Sequence, residues 1–198
     1  MILVAAVVLL VATVPLVGGR LSRLADVRLR WSWLAITAVL AQVVLISVLP
    51  DSMPWGAAVA VHLATYALAG AFVVRNRHVP GLWLIALGGG CNLVAIAANG
   101  GVMPSTAWAR DVAGSPAAEA GFSNSAALAH PHLVALGDVF GVPGPWPLGN
   151  VFSAGDVLLV AGAAVLLHRT CRGQRPVTAE QASRSAGMKR SGRVTHTA

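Results

Sequence analysis

A chain of 198 residues is long enough for one soluble domain, but 56% apolar and 11% charged residues leave too little charge to coat a water-facing surface. A formal net charge of +7 ordinarily raises nucleic acid as a partner. Here thirteen of the fourteen Lys and Arg residues fall in three segments, 20–30, 75–77 and from 169 onward, which alternate with apolar runs as cytoplasmic loops do. Lipid is therefore the expected solvent, and no nucleic-acid partner is implied.

In chain order, five apolar stretches approach the roughly 20 residues that a helix needs to cross the hydrocarbon core. They are residues 2–19, 32–50, 56–74, 81–98 and 150–168. The first has no Lys or Arg before it and four Arg after it, the reverse of a cleaved signal peptide, and is expected to be retained. It runs into Arg20, Arg23, Arg28 and Arg30, which puts the N-terminus outside. The second opens on Trp31 and Trp33, rings suited to an interface, and ends outside at Pro50-Asp51. The third returns to the cytoplasm at Arg75-Asn76-Arg77, and the fourth ends outside at Asn99-Gly100-Gly101.

Residues 99–149 carry one Arg and three acids among many Gly, Pro, Ala and Ser. That composition predicts an outer segment of short helices, one capped by Ser105 or Thr106 and running to about Val112, the other spanning about 126–136. Residues 142–147, VPGPWP, read as a stiff extended lead into the last span. The fold expected is all-α, a polytopic membrane bundle over residues 1–170 in the plasma membrane, followed by a disordered basic cytoplasmic tail over 171–198. With no internal repeat in the sequence, an inverted-repeat transporter is not expected.

Polar side chains are costly within lipid, so each asks for a partner or a role. Gln42, His62, Tyr66, Asn92, Asn99 and Asp156 all count to mid-depth or to the outer half of their spans. Facing one another, they would form an outward-opening polar pocket beneath the outer segment. His62 and Tyr66, four residues apart, share a helix face. Asp156 is the candidate general acid, oriented by His62 or Asn99, and aromatic rings such as Trp146 and Phe152 stand near the mouth. The alternative is structural: amides as interhelical glue, His62 as a packed core residue, Asp156 as a cap or an ion-pair partner. Gly88-Gly89-Gly90 and the run 67–71 suit close helix packing. Cys91 and Cys171 have no metal-ligand neighbours, and His130 and His132 flank a proline without completing a set, so neither a metal nor a cofactor is expected.

Three local patterns carry a family resemblance: NLVAIAANGGVMP over 92–104, LGDVFGVP over 136–143 and VFSAGDVLL over 151–159. They resemble the bacterial integral-membrane family named domain of unknown function 5317. The resemblance implies a multispanning membrane protein and transfers no activity. It directs attention to Asn99, Gly100, Gly101, Met103 and Pro104, to Asp138, and to Ser153 and Asp156. The residues leave three functions open: a pocket for a small amphiphilic or lipid-like ligand, an intramembrane enzyme on an isoprenoid or lipid-linked substrate in the manner of a small terpene cyclase, or an accessory subunit of a membrane complex.

Overall fold

The computed structural model describes residues 2–47, 53–114, 125–143 and 149–172. Trp146, most of the VPGPWP stretch, the end of the second apolar run and the tail beyond Arg172 lie outside the described residues. The chain is mostly helical. Its α-helices are α1 (Ile2–Leu16), α2 (Ser32–Ser47), α3 (Trp55–Arg75), α4 (Leu82–Ala98), α5 (Ala107–Ala113) and α6 (Ala154–Arg172). Of these, α3 and α6 are long and apolar enough to cross a membrane. Only 17% of the most apolar stretch of α3 and 22% of that of α6 is buried. A helix in a soluble core buries most of such a stretch, so these faces are apolar and uncovered.

Among the described residues, four short strands interrupt the segment beyond α4: β1 (Met103–Pro104), β2 (Ser125–Ala126), β3 (Phe140–Val142) and β4 (Asn150–Phe152). β1 pairs parallel with β2, and β3 pairs antiparallel with β4. α5 forms as expected, capped by the Thr106 hydroxyl, which accepts from the Ala109 amide at 3.2 Å. The second short helix does not form. Where one is expected over 126–136, the chain makes β2 and a single 3-10 turn at Val134–Leu136. Pro131 removes a backbone donor and restricts His130, and the backbone at Ser125 and Ala126 is taken by β1.

The last span also shifts. Helix α6 starts at Ala154 rather than at 150, because Asn150–Phe152 is held in the β3–β4 ribbon and Ser153 caps the helix. Asp156 thus lies in the first helical turn, nearer the end of the helix than the count from residue 150 implied.

Two close pairs organise the bundle, α2 with α3 and α4 with α6; α1 lies against α6, and α3 touches α4. The α4–α6 contact is backbone to backbone. A Cβ on Gly81 would meet the Gly162 carbonyl, and one on Gly88 would meet the Gly155 carbonyl. Gly81, just before α4, and Gly88 on it lie seven residues apart, as do Gly155 and Gly162 on the antiparallel α6, so the two elements are bare at matching levels. At one end of the bundle the basic segments gather. The Cys171 carbonyl accepts from the Arg20 amide (3.0 Å) and from Arg23 Nη1 (2.9 Å). Arg172 Nε donates to the Val17 carbonyl at 3.0 Å, and the Arg75 guanidinium lies 5.2 Å from the centre of the Trp31 ring.

Candidate functional site: a cleft between two helix pairs

Beside the Gly88 contact, Asn92 continues the α4–α6 seam with a hydrogen-bonded cluster. The Ser153 amide donates to Asp156 Oδ2 and the Asp156 amide donates to Ser153 Oγ, each at 3.0 Å, closing a reciprocal capping box at the start of α6. Asn92 Nδ2 donates to Asp156 Oδ1 and Asn92 Oδ1 accepts from the Ser153 hydroxyl, again at 3.0 Å each. Gly155 makes this possible, since a Cβ there would meet Asn92 Oδ1. Ser153 is fully buried and Asn92 nearly so. The negative carboxylate also suits the positive N-terminal end of α6.

The α2–α3 pair uses a different device. Gln42 Nε2 donates to Thr65 Oγ1 (2.8 Å), whose hydroxyl donates to the His62 carbonyl (2.6 Å). His62 is buried and meets Tyr66 edge-on, with ring centres 5.6 Å apart.

Between the pairs lies a cleft of about 390 Å³, within the range of small-molecule sites, about 300–1,000 Å³. Gln42, Thr65, Tyr66 and Asn92 supply its polar edge. Gly70, Gly89 and Gly90 line it, and a Cβ on any of the three would meet nothing within 4 Å. The remaining wall is apolar and includes Val74, Ile85 and Leu159. The expected pocket opens beneath the outer segment. This cleft instead runs from the mid-helix positions of Gln42 and Asn92 toward the Arg75 end, because the capping cluster and the 103–105 segment fill the other end.

Of the residues expected to meet, Asn92, Ser153 and Asp156 do, and Gln42, Tyr66 and Asn92 share the cleft. Asn99 is engaged elsewhere. Its side chain donates to the Ala95 carbonyl (2.7 Å) and the His132 carbonyl (2.8 Å) and accepts from the His132 amide (2.8 Å), tying the end of α4 to the following segment. Gly100 and Gly101 take left-handed φ angles of 68° and 98° at the turn. Met103 and Pro104 are buried below it, and Phe152 stacks on Phe140 at 5.2 Å.

Asp138 belongs to a separate cluster. Its amide donates to the Pro104 carbonyl (2.8 Å) and its carbonyl accepts from the Thr106 amide (3.1 Å). Burial pushes its carboxyl up to about 6; a hydrogen bond from Ser125 opposes this, the charge of Asp156 adds to it, and Arg110 opposes it. Arg110 Nη1 also donates to Ser105 Oγ at 3.5 Å.

Sequence reasoning missed Thr65, whose hydroxyl looks unremarkable in an apolar run, and assigned Gly70, Gly89 and Gly90 to close packing, whereas among the glycines of those runs only Gly88 is packed and these three are open to the cleft. It also missed Asn76, a fully buried amide between two arginines of a basic run. Among the described residues no group of three His, Cys, Asp or Glu side chains could hold a metal ion.

Fold and site together define a helical protein with apolar, uncovered helix faces and an interhelical cleft. The chain belongs to DUF5317, a family of unknown function, whose model matches residues 26–168. No curated protein and no solved structure matches the chain.

Proposed function

We propose that the chain is a five-span membrane protein that holds a small amphiphilic, lipid-like ligand in the cleft between its two helix pairs. The cleft carries this reading, with hydrogen-bonding groups along one edge and glycine and aliphatic side chains elsewhere. Such a lining suits a largely apolar chain whose polar head sits outside the cleft. Support for five spans comes from the uncovered apolar side chains on the shorter helices, among them Leu9 on α1 (67% exposed) and Ile36 on α2 (58%). The gathering of basic residues at one end supports a cytoplasmic placement of that end in the plasma membrane.

The test is lipid retention by the purified full-length chain, read by native mass spectrometry. Gly89→Leu and Gly70→Leu place side chains in open space. Each is expected to abolish a retained ligand while leaving the melting temperature within a few degrees of the parent. Unchanged retention in both variants would sink the reading.

A further inference from the structure

Past Val74, which lines the cleft, the chain carries Arg75 and Arg77, and Arg30 is bound beside them. Asn76, which follows α3 and is fully buried, clamps the backbone of Arg30. Its Oδ1 accepts from the Arg30 amide (2.7 Å), and its Nδ2 donates to the Arg30 carbonyl (2.8 Å) and to the Phe72 carbonyl (2.8 Å). The clamp holds Arg30 against the stretch that carries Arg75 and Arg77, and all three arginines are exposed. Arg75 lies over the Trp31 ring, and none of the three is ion-paired with an acid among the described residues. Exposed guanidinium groups on neighbouring stretches raise the local positive potential and favour a bound anion.

Val74, a wall residue of the cleft, directly precedes Arg75. The apolar slot thus ends next to a basic stretch of the chain. We infer that the ligand of the cleft is a lipid with a phosphate-bearing anionic head, its head over Arg30, Arg75 and Arg77 and its tail in the slot beside Gly70, Gly89 and Gly90. This rests on the proposal that the cleft holds an amphiphile, and it names the ligand's class. Arginine binds phosphate oxygens with paired donors, and basic sites beside transmembrane helices take anionic headgroups in this way.

The experiment places the full-length chain in nanodiscs of mixed phosphatidylglycerol and phosphatidylcholine, and native mass spectrometry reads the lipid it retains after release. The parent is expected to retain phosphatidylglycerol preferentially. The preference should fall about fivefold for each arginine removed in Arg30→Gln, Arg75→Gln and Arg77→Gln, with Arg77→Lys keeping most of it. Gly89→Leu should lose the retained lipid altogether. Three results overturn the inference. If Gly89→Leu loses lipid but the arginine variants keep the parent's preference, the cleft reading stands and the anionic head is wrong. If the arginine variants lose the preference while Gly89→Leu and Gly70→Leu retain lipid normally, the head binds without a tail in the cleft, and both readings fall. If inorganic phosphate alone raises the melting temperature as much as phosphatidylglycerol does, the basic stretch is a free-anion site.

Discussion

The two helix pairs are joined by opposite means. α4 and α6 meet at backbone distance through Gly81, Gly88, Gly155 and Gly162 and are locked by the Asn92, Ser153 and Asp156 cluster. α2 and α3 meet through side chains, with Gln42 and Thr65 as their polar link. Where two helices come together bare, no space remains for a ligand. Where the pairs meet each other, across α3 and α4, the small residues have no facing partner and a cleft results. Glycine thus does contrary things one residue apart: Gly88 is a contact, and Gly89 is an opening.

That contrast gives its own sharpest test. Gly88→Leu forces a side chain onto the Gly155 carbonyl and the Leu159 amide, and is expected to cost about 3 kcal/mol or more through overpacking. Gly89→Leu meets open space and should cost less than about 1 kcal/mol, its better helix propensity offsetting part of any strain. Thermal unfolding in detergent compares the two. Equal losses would mean that the pairs are not packed differently.

A smaller effect is expected from Asn92→Leu, which removes one donor to Asp156 and the acceptor of the buried Ser153 hydroxyl. The loss should be about 2 kcal/mol, set by the polar groups left unpaired. Gln42→Leu should cost only about 0.6 kcal/mol, the average for a single interhelical hydrogen bond in a membrane protein. A double comparison by the same unfolding assay ranks the seams; a larger loss at Gln42 would reverse the assignment of the rigid pair.

The smallest effect is local and depends on pH. Asp138 titrates near 6 when folded, above the usual carboxylate value, so between these values the folded state binds more protons than the unfolded one. Its contribution is greatest below about 4 and is lost as the pH rises through about 6. Hydrogen exchange at the Asp138 amide, bonded to Pro104, should therefore show an opening equilibrium less favourable at pH 5 than at pH 7.5, once the intrinsic exchange rate is divided out. Asp138→Asn should remove the pH dependence while leaving α4 and α6 unchanged.

Much of this architecture was legible along the chain. Apolar runs, the Arg clusters that separate them and a cap at Ser105 or Thr106 are local features, and each specifies a helix or its end without reference to the rest. Asn92 and Asp156 were also identified by the cost of burying them and Ser153 by the family resemblance, and the three do come together. Their arrangement was not legible. Asn99 and Asn92 are the same residue type at the end and in the body of one helix, yet Asn99 satisfies itself on the His132 backbone and Asn92 on a neighbouring helix.

The sequence by itself determined that the chain is helical and apolar, that its charge alternates with its apolar runs, and that a short list of polar side chains needs partners. Only the tertiary structure decided which partners they take, which glycine is a contact and which an opening, and toward which end the cleft runs. The physical reason is range: hydropathy and capping act within a turn or two of one helix, whereas close approach and hydrogen-bond satisfaction depend on the face that a second helix presents.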